Sequence, residues 1–423
     1  LVVHIIFYVY AELGMVMKRK LLISLLVVCT MTVITGGISF WMLYPRLSSP
    51  TSIFSNAYIY YTLKDAQGFV LARAPKGANG QPLQSPQRLA LLGDNFGLIA
   101  SDAVISLQLS PDGRYLAIDG NRDHGEQVWM YDVQQSKVSL TPAAVAGNFL
   151  RWIPSGNRHT FLYRPMLPLG PAAPMDNGAW NPGLWSVDAE TGSHINIHIG
   201  TSSANLVDAV PSPDGSRIVY STSAGLGLGS ETYVMSSDGT ARQHLFTSTG
   251  LDAVAGLFAW SPDGAHIAYE RLADSPAPFL SAGLWVMNST GGQQQLLADV
   301  DGGHGYMPSW SPDGQKLAYV VRTNMSDHSA DTLYQALQCG IGEFNLRTHQ
   351  ARLIVTPEQT AHQWNIDPTW TARGDHIVFT ALNPMNRLIG GITQNWSAQV
   401  SDQVGAVQVV PISSTLSHVV AWE

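Results

Sequence analysis

Seven side chains in this sequence could hold a cation, and they recur at one kind of place. Asp102, Asp208, Asp252, Asp301, His304, His362 and His418 stand just before, or within, short alternating segments, most of which close on an aromatic residue. Carboxylates are hard oxygen ligands and imidazoles are nitrogen ligands and bases, so the set suits a hard cation, a cationic ligand or acid-base work on a substrate. Their intervals are irregular and lack the fixed spacing of a metal motif, and Asp and His are ordinary residues of exposed loops. The expectation is a ligand-binding rim with no metal site, cofactor or catalytic set. His194 and His198 in "HINIHI" share one strand face, but on a peripheral strand. No G-x-S-x-G elbow, H-E-x-x-H pair or phosphate loop is present.

The elements that must position these residues are repeats. Aligned on one turn, the sequence reads "LSPDGRYLAI" from Leu109, "WIPSGNRHTFLY" from Trp152, "PSPDGSRIVY" from Pro211, "WSPDGAHIAY" from Trp260, "WSPDGQKLAY" from Trp310 and "WTARGDHIVF" from Trp370. Pro presets the first central position of a turn, Asp suits the next and Gly takes the left-handed conformation that sends the chain back as a hairpin. The residues that follow, as in "HIAYE", alternate like a half-buried strand. A second series (Trp129, Trp185, Tyr233, Trp285, Phe344 and Trp396) marks third strands, and short turns lead on to fourth strands. Units of this length match one four-stranded blade of roughly 40 to 50 residues. Most of the 12 Trp fall in these two series and read as packing residues.

In these motifs the sequence resembles the TolB-like and tricorn-type β-propellers, whose WD-repeat-like units carry aromatic-Ser-Pro-Asp-Gly before an Ile/Leu-Ala-Tyr strand. The resemblance covers residues 57–423 and implies an all-β propeller; it says little about activity. TolB has a separate N-terminal domain, for which only residues 45–56 are available here, so its partners are not carried over. "AYIYYTL", "FVLARA" and "QRLALL" read as second, third and fourth strands lacking a first, which "SHVVAW" at the other end supplies. Pairing of the N- and C-terminal strands would complete one blade and remove two open edges. Six internal blades and this composite make a seven-bladed β-propeller, with six or eight blades as alternatives because residues 365–411 are degenerate.

"KRKLLISLLVVCTMTVITGGISFWMLYPR" sets three cations before an uncharged stretch from Leu21 to Tyr44, long enough to cross a hydrocarbon core of about 30 Å. The expected order is residues 1–17 as a start-site artefact or short cytoplasmic tail, 18–44 as a transmembrane anchor or signal segment, 45–56 as a linker, and 57–423 as the propeller. The protein would then be single-pass in the cell membrane, N-terminus inside and propeller extracytoplasmic, periplasmic or on the cell surface. Residues 1–46 carry +3, leaving −11 for the rest of a chain whose net charge is −8. Such acidity disfavours nucleic acid as a partner. Cys29 and Cys339 are the two cysteines, and no disulfide, within the chain or to a partner, is expected.

In an antiparallel meander the strand 2–3 connections and those leading into each first strand open on one face, opposite the Ser-Pro-Asp-Gly turns. The two longest, 164–183 and 322–340, are strand 2–3 connections. Long loops on a rigid scaffold are where binding concentrates. The expected function is a membrane-anchored, non-catalytic scaffold that binds a protein, peptide or glycan on this face. The alternative is a propeller hydrolase or lyase with a metal or acid/base site at the channel mouth. Peptidases of the prolyl-oligopeptidase type share the propeller but add a hydrolase domain not found in this sequence.

Overall fold

The computed structural model describes most of residues 58–422. Outside the description lie 1–57, 66–67, 76–86, 94–103, 123–124, 141–146, 155–158, 166–182, 198–204, 226, 251–252, 275–276, 278–279, 302–305, 384–393, 401–406, 412–419 and 423. The expected anchor at 18–44 therefore falls outside the described residues, among which no helix is long and apolar enough to cross a membrane. The chain divides into Leu1–Pro45 and Arg46–Glu423, and every described residue belongs to the second unit.

Antiparallel four-strand meanders account for nearly all of the described chain. The first sheet takes Val420–Trp422 beside Tyr58–Asp65, then Gly68–Pro75 and Gln87–Gly93. The second runs Val104–Leu109, Tyr115–Arg122, Gly125–Asp132 and Lys137–Leu140, and the third Gly147–Trp152, Thr160–Pro165, Leu184–Asp188 and His194–Ile197. A fourth comprises Asn205–Pro211, Arg217–Ser223, Ser230–Ser236 and Gln243–Ser248; a fifth, Val254–Trp260, His266–Leu272, Ala282–Asn288 and Gln295–Val300. The sixth set (Ser309–Trp310, Lys316–Arg322, Cys339–Asn345, Gln350–Val355) and the seventh (Trp364–Trp370, His376–Leu382, Gln394–Gln399, Val409–Pro411) are joined by one parallel bridge, Cys339 to Trp364. In the first sheet Ile59, Tyr60 and Tyr61 face Trp422, Ala421 and Val420, so the two ends of the described chain meet in one sheet.

The repeated turn has the conformation its residues prescribe. Gly215, Gly264 and Gly314 each donate to the carbonyl of the Ser three residues earlier, at 2.8, 2.8 and 2.9 Å, and each has a φ of 68°. Within the turn the Ser hydroxyl donates to the Asp carboxylate, as Ser261 does to Asp263 at 2.6 Å, and that carboxylate accepts the amide of Ala265 at 3.0 Å. Successive turns touch: a Cβ built on Gly264 would lie 3.9 Å from Pro213 Cδ, one on Gly314 3.8 Å from Pro262 Cδ, and one on Gly374 3.4 Å from Pro312 Cδ.

First-strand tryptophans tie three of the sheets to their predecessors. The indole N–H of Trp152 donates to Gln108 O at 3.0 Å, that of Trp260 to Val210 O at 3.1 Å, and that of Trp310 to Ala259 O at 2.9 Å. Each acceptor sits two residues before the turn serine of the preceding sheet, so one side chain fills the seam and satisfies a first-strand carbonyl. The third-strand aromatics differ. Trp129, Trp185 and Trp285 are half-buried; a fourth-strand side chain, His194, stacks on Trp185 at 4.4 Å, and a second-strand guanidinium, that of Arg271, lies 4.0 Å from the Trp285 ring.

Second strands correct the alternation expected from sequence. Ile267, Ala268, Tyr269 and Glu270 are buried in succession, as are Ile218 to Thr222, because a sheet in the middle of a stack is covered on both faces. Fourth strands such as Gln243–Ser248 are largely exposed, as outer edges should be.

Candidate functional site

The connection from Arg322 to Cys339 leaves and rejoins its sheet on the face opposite the Ser-Pro-Asp-Gly turns. Its sequence, "TNMSDHSADTLYQALQ", is rich in Ser, Thr, Asp and Asn, residues that bond to nearby backbone and compete with strand pairing. Those side chains hold the segment in one shape. Asp327 accepts the amide and hydroxyl of Ser329 at 3.0 and 2.6 Å and starts the short 3-10 turn His328–Asp331; a second, Tyr334–Ala336, follows. The buried Arg322 guanidinium donates to Asp331 Oδ1 and to Asp327 O, both at 2.7 Å. Asn324 closes the base, donating to Ala336 O at 2.8 Å and accepting the Gln338 amide at 3.1 Å. Ala330 and Leu337 are fully buried beneath, whereas Met325 and Leu333 point outward, 50% and 54% exposed. Both carboxylates are held below the ordinary aspartate range, Asp331 chiefly by the Arg322 bond and Asp327 chiefly by the Ser329 hydroxyl.

Beneath this loop, a chain of hydrogen bonds links two of the sequence-predicted residues. Asp301 is buried, donates its amide to Val320 O at 3.0 Å, and accepts the Cys339 thiol at 3.3 Å. Burial first, then the Asp301 carboxylate, pushes that thiol well up from its ordinary value. The Cys339 amide donates to Gln363 O at 3.0 Å, and Cys339 O accepts Asn365 Nδ2 at 3.2 Å. Asn365 Oδ1 in turn accepts the Thr360 hydroxyl at 2.9 Å. His362, half-buried, places Nδ1 2.6 Å from Thr360 O, and since a carbonyl can only accept, Nδ1 is the donor. Gln363 Nε2 bonds Leu337 O at 2.8 Å and also reaches Gln335 O, fastening the connection 356–363 to the 323–338 loop.

Asp208 lies elsewhere. Its Oδ1 accepts the Ala209 amide and its Oδ2 the Phe258 amide, both at 3.0 Å, so it clips the first strand of the fourth sheet to that of the fifth. Phe258 has an amide to offer because the strand bulges there, with Leu257 at a φ of 55°. Asp208 and Asp301 are thus both interior and already bonded within the chain, and His362 is the one of the described three with solvent access. Asp102, Asp252, His304 and His418 lie outside the described residues, as do His198 and most of the 164–183 connection. Among the described residues no group of three or more His, Cys, Asp or Glu is placed to hold a metal ion.

Sequence reasoning missed Asp274, which joins two neighbouring strand 2–3 connections. Its carboxylate accepts the amides of Gly227 and Gly229 at 2.6 and 3.0 Å and so fixes the loop of "AGLGLG". A Cβ on Gly229 would stand 2.2 Å from Ser248 O, which restricts that position to glycine. Leu228, between the two amides, is 67% exposed. The run of glycines is the signal that could have marked this loop as a tight, backbone-bonded structure.

No family model matches the chain, and no curated protein sequence does either. Solved structures do. An oligogalacturonate lyase from Vibrio parahaemolyticus superposes with a TM-score of 0.57 at 14% identity, over 84% of this chain and 90% of that one. A prolyl endopeptidase structure gives 0.57 at 14%, over 88% of this chain and 51% of its own. TolB from Acinetobacter baumannii aligns at 0.44 and 16%, over 70% of this chain and 62% of its own, so the chain spans less than two thirds of that TolB. The fold is that of a β-propeller. At these identities the likeness extends to the fold alone, and the fold serves scaffolds, hydrolases and lyases alike.

Proposed function

We propose that the chain is a binding scaffold: a seven-bladed propeller, tethered outside the cytoplasm by residues 18–44, whose strand 2–3 connections recognise a protein partner. The observation that carries this reading is the 323–338 loop. A segment of that length tied down by Arg322, Asn324 and Asp327, yet presenting Met325 and Leu333 to solvent, has its ordering cost met before any partner arrives. The three cations and the apolar run at 18–44 support the tether, and seven four-strand sets closed by Val420–Trp422 support the blade number.

The test is affinity capture from detergent-solubilised membranes with the full chain, beside a chain in which Met325 to Leu333 is replaced by a Gly-Ser segment. Capture of one protein by the first and not the second is expected. Equal capture by both removes the loop from the binding surface. Elemental analysis of the same preparation addresses the enzymatic alternative: a stoichiometric metal lost on Asp252→Ala or His304→Ala would replace the scaffold with a metal-dependent hydrolase or lyase.

A further inference from the structure

The chain enters its first described strand on one face of the propeller and carries the 323–338 loop on the other. Pairing across the turn between first and second strands is constant: Trp260 faces Ile267, Trp310 faces Leu317 and Trp370 faces Ile377. In the first sheet Trp422 faces Ile59 in the same register, although the two strands come from opposite ends of the described chain. Tyr58 therefore holds the place of His266, Lys316 and His376, the residues at which those second strands leave their turns. Its strand begins on the Ser-Pro-Asp-Gly face. The 323–338 loop begins at the far end of such a strand: Lys316–Arg322 has seven residues, about 23 Å at ~3.3 Å each, and the loop follows Arg322.

We propose that the tethered chain turns its Ser-Pro-Asp-Gly face toward the bilayer and its strand 2–3 connections toward the aqueous space. The partner is then engaged through a water-exposed domain lying farther from the membrane than the propeller itself. The proposal rests on the tether at 18–44 and adds the side from which the partner arrives. Thirteen residues, 45–57, separate Tyr44 from Tyr58. Fully extended they reach at most about 45 Å. Presenting the opposite face to lipid would carry them from a second strand outward past the third and fourth, about 10 Å at ~4.8 Å per strand, and then along about 23 Å of outer edge. The remaining ~12 Å would have to cross a headgroup layer about 5 to 7 Å deep and clear the long connections as well. That route leaves the stretch almost no conformational freedom, whereas the direct route leaves it slack, so entropy selects the direct one.

The experiment places a donor dye on either face of the full chain and reads energy transfer to acceptor-labelled lipids. In a Cys29→Ser background, where the remaining thiol, Cys339, is buried, Gln135→Cys puts an exposed thiol on the Ser-Pro-Asp-Gly face and Ser326→Cys puts one on the loop face. Each labelled chain is reconstituted into liposomes with acceptor lipid in both leaflets, so the direction of insertion does not matter. Transfer from residue 135 should exceed that from residue 326 by about twofold or more, given faces about 23 Å apart. A second pair, Thr348→Cys and Glu358→Cys, should rank the same way. Twenty Gly-Ser residues inserted between Ser49 and Pro50 should erase most of the difference, because a slack linker no longer selects a face. Equal or reversed transfer from both pairs in the unmodified linker would overturn the proposal. Flotation of the same liposomes separates the two readings. A chain that floats but shows no preference retains its tether and loses its orientation; a chain left behind in the dense fraction has no tether, and the scaffold reading falls with it.

Discussion

Asp208 shows how a carboxylate with the look of a ligand can be spent on architecture. It accepts a backbone amide from its own strand and another from the next sheet, and it is 3% exposed. Asp208→Ala strands the Phe258 amide in the interior, which should cost about 1 to 3 kcal/mol, read as a lower midpoint in urea denaturation. The turn aspartates make a different prediction. Asp214 and Asp263 are held below the ordinary value of 3.8, first by the hydroxyls of Ser212 and Ser261. A depressed folded pKa adds stability above the unfolded value and loses it as pH falls through the folded one. Stability should therefore drop as pH is lowered from about 4, and the double variant Asp214→Asn, Asp263→Asn should flatten that part of the profile. Cys339 should resist iodoacetamide in the folded chain, since burial and Asp301 keep it a thiol, and should react once urea opens the sheet.

At the scale of the element, the turn and the tryptophan act together. Gly264→Ala places a side chain at a φ of 68° and should destabilise by about 1 kcal/mol. Trp260→Phe removes the bond to Val210 O and should cost about as much again, and each is measurable by thermal melting. Strand placement was legible in the sequence because Ser-Pro-Asp-Gly and the two aromatic series are local signals with one conformational meaning. The face carrying the long connections was legible too, since an antiparallel meander leaves no choice about it. What the sequence did not reveal was partner choice over distance. Nothing in "NLVDAVP" announces that Asp208 will meet the amide of Phe258, and nothing near Asp274 announces two glycine amides 47 and 45 residues away. The alternation read in "HIAYE" failed for a related reason: burial on the second face comes from neighbouring sheets, which no single strand encodes.

For the whole molecule, the decisive interaction joins residues 59–61 to 420–422. Removing Val420–Glu423 would leave the first sheet without the strand that pairs with Tyr58–Asp65 and lies beside Val104–Leu109. The truncated chain should unfold at a lower temperature and self-associate through the bare edge, seen as higher-mass species in size-exclusion chromatography. A sheet that borrows one strand from residues made hundreds of peptide bonds later also imposes an order on biosynthesis. Sheets two to seven can form as the chain leaves the ribosome, while the first waits with a vacant place. Maturation is therefore timed by residue 422, and until then Tyr58–Asp65 is the stretch most in need of a chaperone.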